Sequence, residues 1–183
     1  MLRGVSKGVA VDEVGLRGLI REIADFPEPG ILFRDITPLL HEPVAFGAVN
    51  DRLAEVARGW GATLVAGIEA RGFLFGVPVA ERLRAPFVPV RKPGKLPADR
   101  ASAFYELEYG QDSLELHRDP SVAGHRVVVV DDLLATGGTA EAAVRLVREL
   151  GGTVAGLAFA IELTELGGRG RLGGYEVESV VGY

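Results

Sequence analysis

Two adjacent aspartates, Asp131 and Asp132, stand between four valines and a Thr-Gly-Gly-Thr turn in the stretch VVVVDDLLATGGTA, residues 127–140. A buried strand running Val127–Val130 would deliver both carboxylates to the carboxyl edge of a sheet, where open α/β folds bind their ligands. Carboxylates in that place accept hydrogen bonds from vicinal hydroxyls such as those of a ribose. Gly137 and Gly138 permit tight turns, so Ala135, Thr136, Gly137, Gly138 and Thr139 present backbone N–H groups at the start of the next helix. A nest of amides backed by the positive end of a helix dipole is a seat for a phosphate. Together the two features fit a 5-phosphoribosyl group, with phosphate in the loop and sugar over the acids. Taken singly, each has a plainer reading: the acids end a strand and the glycines cap a helix. An apolar run ending in Asp also resembles the magnesium-holding strand of nucleotide kinases. That reading needs a G-x-x-x-x-G-K-[ST] loop, which the chain lacks, and it is excluded.

Cations are distributed unevenly. The chain has three lysines against seventeen arginines, yet Lys92 and Lys95 both lie in the loop RKPGKLP, residues 91–97. A chain that writes nearly every cation as Arg is using a compact, mobile point charge there for a reason. A solvated basic turn is the alternative, and it suits Lys92 better than Lys95. A second loop, EARG (Glu69–Gly72), follows an apolar run and leads into a helical pattern, so it too lies at the carboxyl edge.

The elements that must position these loops follow from hydrophobic patterning. TLVAGI (63–68), PFVPV (86–90), RVVVV (126–130) and TVAGLAFAI (153–161) are apolar runs without polar alternation, as a parallel sheet covered on both faces requires. FLFGVPVAERL and the segment from about Thr139 to Leu150 are helical, the latter with Ala140, Ala143, Val144 and Val147 on one face. SAFYELEYGQDSLELH alternates around Tyr109-Gly110 and predicts a two-stranded ribbon within a loop region spanning 91–117. Before the sheet, Leu16, Leu19, Ile20 and Ile23 predict a helix with Asp12 as N-cap, ending before Pro27. FPEPGILFRDITPLL (26–40) reads as an ordered, irregular loop, and Phe46, Val49, Leu53 and Val56 predict a second helix. Residues 1–10 form a tail without a clear period. The expectation is one α/β domain over 1–183: an open, mainly parallel twisted sheet flanked by helices, with an N-terminal hood and a protruding ribbon.

Composition narrows the function. A net charge of −5 disfavours a dedicated nucleic-acid binder, and the absence of cysteine excludes disulfide frameworks and Cys-based zinc sites. No run approaches about 18 uninterrupted apolar residues, and no secretory leader is legible. The expectation is a cytoplasmic protein that binds neither membrane nor nucleic acid.

VVVVDDLLATGGTA resembles the signature of the type I phosphoribosyltransferases, which bind 5-phosphoribosyl-1-pyrophosphate (PRPP). The segments FPEPGILFRDITPLL, IEARGFLFG, RKPGKLP…YELEYG and IELTELGGRGRLGGYEV are similar to the adenine-specific branch of that family, in the same order. The resemblance covers nearly everything from Val11 onward. It implies a type I phosphoribosyltransferase fold and purine salvage: adenine plus PRPP gives AMP plus pyrophosphate, with magnesium bound together with PRPP or pyrophosphate. It also implies a homodimer.

Carried over residue by residue, Ala70, Arg71 and Gly72 wrap the pyrophosphate, with Arg91 and Lys95 as further contacts that can reach the neighbouring subunit. Asp131 and Asp132 hold the ribose. Glu108 accepts the proton of adenine, on a ribbon whose Tyr105 and Tyr109 belong to a lid that excludes water. The hood GILFRD binds the base: Phe33 stacks on it, worth about 1–3 kcal/mol by analogy with other base-stacking sites, and the extended backbone at Leu32–Arg34 reads its edge. Arg71, Glu108, Asp131 and Asp132 are the catalytic candidates. The chain departs from the family in its longer N-terminal extension, in Ala98 where a glycine often follows Lys-Leu-Pro, and in Phe104 where a polar residue is common.

Two rivals remain at this point. Relatives acting on 6-oxopurines typically meet the oxo group with a late lysine, and this chain has none after Lys95. Regulators that use the fold as a PRPP sensor add a DNA-binding helix module, for which the chain before the hood offers room for only one or two helices.

Overall fold

The computed structural model describes residues 12–107, 110–120 and 122–183. They fall into two compact units, the first ending at Val49 and the second running from Asn50 to Tyr183.

The first unit opens with helix α1 (Glu13–Arg17), capped by Asp12, whose side chain accepts the Gly15 N–H at 2.9 Å. The helix predicted through Ile23 stops here. Gly18 is its C-cap, and Arg21–Ala24 instead forms strand β1, antiparallel to β2 (Leu32–Asp35). Register explains the switch. It sets Arg21 opposite Asp35 and Glu22 opposite Arg34, two opposite-charge pairs, with Ile23 opposite Phe33. The loop expected over 26–40 therefore contains β2 and the short helix α2 (Thr37–Leu40). Its tip is closed by Asp25, which accepts the Gly30 N–H at 2.7 Å. Helix α3 (Pro43–Gly59) buries Ala45, Val49, Leu53 and Ala57, a face repeating every four residues.

The second unit holds a five-stranded sheet. Strand β3 (Leu64–Ile68) leads through α4 (Gly72–Leu83) to β4 (Phe87–Val90). The ribbon β5 (Arg100–Leu107) and β6 (Gly110–His117) follows, then β7 (Arg126–Leu134), α5 (Gly138–Glu149), β8 (Thr153–Glu162), α6 (Gly168–Arg171) and β9 (Val177–Gly182). The order is β4-β3-β7-β8-β9, all parallel. Strand β9 has no counterpart in the sequence reading: Glu178 and Ser179 interrupt its apolar residues, and it is an edge strand. From β3 the chain moves outward to β4; from β7 it moves the opposite way to β8. Right-handed crossovers in opposite directions place α4 and α5 on opposite faces, so β3 and β7 flank the topological switch point.

The ribbon's inner face, Ala101, Ala103, Tyr105, Leu114 and Leu116, is buried in the main core with the apolar face of α5. Phe104, on its outer face, is 62 % exposed, and its carbonyl accepts a bond from Arg145 of α5. Ala98 has φ of 63°. An L-residue pays about 1 kcal/mol in that left-handed region, which accounts for the glycine common there in the family.

Candidate active site

Strand β7 does not stop at Val130 as the sequence suggests. It continues to Leu134 because β8 offers it a partner throughout, with Asp131 opposite Phe159 and Leu134 opposite Glu162. On its other side the ladder to β3 ends at Gly67–Val130. The two acids thus lie beyond the neighbouring strand while still inside their own. They border a notch at the carboxyl edge of the switch point.

The loop after β3 drops into that notch. Gly72 allows the approach: a Cβ there would sit 2.8 Å from both Asp131 Oδ1 and the Val130 carbonyl oxygen. The Glu69–Ala70 peptide bond is cis. Arg71 Nε lies 3.0 Å from Asp132 Oδ2, an ion pair across the notch. The contact is not an aligned hydrogen bond, for that buried oxygen accepts none. Asp131 Oδ1 accepts the Asp132 N–H at 2.8 Å. Burial, and then the neighbouring Asp132 charge, push Asp131 well above the usual carboxylate range. Burial also raises Asp132, with Arg71 opposing.

Downstream, residues 133–140 curl around a pocket of about 80 Å³, lined by Asp131, by the predicted amide donors Ala135 to Thr139, and by Phe159. Gly137, with φ of 84°, turns the chain into α5. All five predicted phosphate-loop residues line this pocket, next to one of the two acids.

The basic loop is brought to the same edge by register. Ile68 pairs with Val90, so Glu69 and Arg91 emerge side by side. Arg91 grips Glu69 through two bonds of 3.2 Å, and the Lys92 N–H adds a third at 2.9 Å. The Arg91 bonds, foremost, hold Glu69 below its ordinary range. Arg91 also donates to the Lys95 carbonyl at 3.1 Å. Its charge is therefore compensated inside the loop. Lys92 is committed too, donating to Asp112 and to the Tyr105 hydroxyl at 2.5 Å. Tyr105, expected in a lid, is buried and paired across the ribbon with Asp112, its hydroxyl 3.0 Å from Asp112 Oδ2. Lys95 is exposed, and its ammonium has no hydrogen-bond or ion-pair partner among the described residues. Glu108 and Tyr109 lie outside the described residues. The sequence reading missed Glu69 and Asp112 as organisers of the two cations; the parallel register was the signal for the first.

In the first unit, Leu32, Phe33 and Arg34 all lie on β2. The Phe33 ring meets Phe26 edge-on, with centroids 5.1 Å apart. The Arg34 side chain is 11 % exposed and pairs with Glu22. Asp35 is held at about 2 by bonds from the Thr37 hydroxyl and N–H and from Arg21.

Residues 37–172 match the family described as phosphoribosyl transferase domain, and the chain belongs to it. Curated relatives at 54–60 % identity are adenine phosphoribosyltransferases. The adenine phosphoribosyltransferase of Gloeobacter violaceus is 60 % identical over 157 residues, 86 % of this chain and 92 % of its own. The crystal structure of adenine phosphoribosyltransferase from Thermoanaerobacter pseudethanolicus superposes with a TM-score of 0.89 at 54 % identity, covering 92 % of this chain and 98 % of that one. The Saccharomyces cerevisiae enzyme, solved with adenine and an imino-altritol bisphosphate, gives 0.86 at 38 % identity over 92 % and 98 %. The chain groups with these adenine phosphoribosyltransferases.

Proposed function

We propose that this chain transfers the 5-phosphoribosyl group of PRPP to adenine, releasing pyrophosphate and forming AMP. The observation that carries the reading is the notch between β3 and β7, where buried Asp132 and partly buried Asp131 adjoin a pocket of about 80 Å³ lined by residues 133–140. The acids hold ribose hydroxyls, the pocket the 5-phosphate. Leaving-group departure builds positive charge on the sugar, which Asp131 and Asp132 face, and negative charge on pyrophosphate, which the amides of Ala70–Gly72, Arg71 and the loop cations face. Glu108 takes the N9 proton and Tyr109 belongs to the lid, the roles that the family resemblance implies for them.

Among the described residues no group of three or more His, Cys, Asp or Glu could cage a metal. Magnesium commonly binds through substrate phosphates and one or two carboxylates. Asp131 and Asp132 would be its nearest carboxylates, and the ion would neutralise pyrophosphate charge. No helix among the described residues is long and apolar enough to cross a membrane. A cytoplasmic homodimer goes with this reading, as the family resemblance implies.

The test is pyrophosphate release from PRPP with a panel of bases. Adenine-dependent release is expected. PRPP binding without release for any base would favour a sensor and overturn the reading.

Because Arg91 and Lys92 are already paired, Lys95 is the cation available to the leaving group. Lys95→Ala should raise KM for PRPP and Kd for pyrophosphate about 10- to 100-fold, the value of a charge-assisted hydrogen bond. KM for adenine should stay within about twofold, since the base makes no such bond. Equal losses for all three ligands, or none, would remove Lys95 from the site.

A further inference from the structure

The phosphate loop rests on a second backbone turn. A Cβ built on Gly168, the first residue of α6, would fall 2.1 Å from the Ala135 carbonyl oxygen and 3.0 Å from the Gly137 nitrogen. Reciprocally, a Cβ on Gly137 would fall 2.7 Å from the Gly168 carbonyl oxygen. The nearest approaches between the two turns are backbone on backbone, with Leu134 and Arg171 side-chain atoms no closer than 3.0 and 3.4 Å to those Cβ positions.

What holds α6 against the loop is Arg169. Its guanidinium grips buried Glu162, at the end of β8, through bonds of 3.0 and 2.6 Å. It also donates to the Val177 carbonyl at 2.5 Å and lies 3.3 Å from the Ser179 hydroxyl, both on β9. Ser179 completes the node by donating to Glu162 at 2.6 Å. On the far side of the turn, Arg171 pairs with Glu141 in the first turn of α5 at 3.0 Å. The sheet's last two strands, β8 and β9, are thereby coupled to the loop.

We propose that the Gly168–Arg171 turn is a clamp that sets the height and tilt of the phosphate-binding amides. Gly168 is the positioning residue and the Glu162–Arg169 pair its anchor. The proposal rests on the reading that residues 135–139 bind the 5-phosphate. Amides held at one position reward a phosphate only when they converge on it, and a displacement near 1 Å can cost about 10²-fold. The clamp therefore acts on phosphate recognition and not on the rest of the nucleotide.

The experiment measures dissociation constants of AMP and of adenosine, which lacks the phosphate, for the whole enzyme and its variants. Gly168→Ala, which drives a methyl group into Ala135, should weaken AMP about 10- to 100-fold. Adenosine should change less than about twofold, because it makes no phosphate contact. Arg169→Lys keeps the charge but loses the two-pronged grip, and should shift AMP in the same direction by a smaller factor. If Gly168→Ala does not fold, Arg169→Lys and Glu162→Gln decide. Equal weakening of both ligands would show a merely structural role and overturn the clamp, as would no change in either. Thr139→Ala, inside the loop, separates the two levels. If it narrows the AMP-over-adenosine preference while the clamp variants do not, the clamp alone fails. If no variant narrows it, the phosphate-loop reading fails as well.

Discussion

An Asp131→Asn, Asp132→Asn double variant should lose turnover by about 10³-fold or more while gaining stability at neutral pH. The first effect follows from charge. As the C1–pyrophosphate bond breaks, positive charge grows on the sugar, and removing one preorganised group that stabilises such charge typically costs about 10²–10³-fold. Here two are removed, and with them the acceptors for the ribose hydroxyls.

The second effect follows from burial. Both acids have folded-state pKa values above the ordinary 3.8, Asp131 well above it. Between 3.8 and the raised values the native state holds more protons than the unfolded chain, so stability falls as pH climbs through that window. Asparagine has no proton to lose and should flatten that decline. Thermal unfolding as a function of pH and steady-state rates check the two halves separately. Near-wild-type rates would sink the ribose assignment; an unaltered decline of stability with pH would sink the account of the buried charges. The pair then exemplifies a site that weakens its fold for its chemistry.

Selectivity for adenine over hypoxanthine and guanine is expected to reach about 10⁴ or more, the range open to a site whose polar groups mismatch the wrong ligand. Adenine presents an amino donor at position 6 and an acceptor at N1; hypoxanthine presents an acceptor and a donor. A backbone C=O and N–H side by side match the first and oppose the second at both places, leaving two polar groups unpaired. Strand β2 can offer such a pair. It belongs to a two-stranded sheet, so alternate residues leave their N–H and C=O groups on its outer edge. The side chain of Arg34 is paired with Glu22, so the proposed reading assigns the base edge to its backbone.

Arg34→Ala should therefore largely preserve the preference. Phe33→Ala should raise KM for adenine about 10- to 100-fold, the worth of one stacked base. Specificity constants for each base decide it: comparable values for adenine and hypoxanthine in the unaltered enzyme would overturn the hood assignment, and an Arg34→Ala variant that accepts hypoxanthine would transfer the reading to the side chain.

What the sequence determined by itself was the sheet and its loops. Buried parallel strands write their hydrophobicity without interruption, so β3, β4, β7 and β8 were legible from 63–68, 86–90, 126–130 and 153–161, as was the ribbon from its alternation. Glycine and acid spacing did the same for the turn from β7 into α5. Local pattern failed where a distant partner decided the outcome. Residues 21–24 carry helical spacing yet form a strand, because Asp35 and Arg34 supply cross-strand charge partners. Strand β7 runs four residues past its valines because β8 continues beside it. The same holds within the site. Sequence singled out Arg91, Lys92 and Lys95 as cations, but only the tertiary structure sorted them. Parallel register delivers Glu69 to Arg91 and the ribbon delivers Asp112 to Lys92, while the Lys95 ammonium makes no ion pair or hydrogen bond among the described residues. A charge is written in the sequence; whether it is already spent depends on which opposite charge the fold brings within reach.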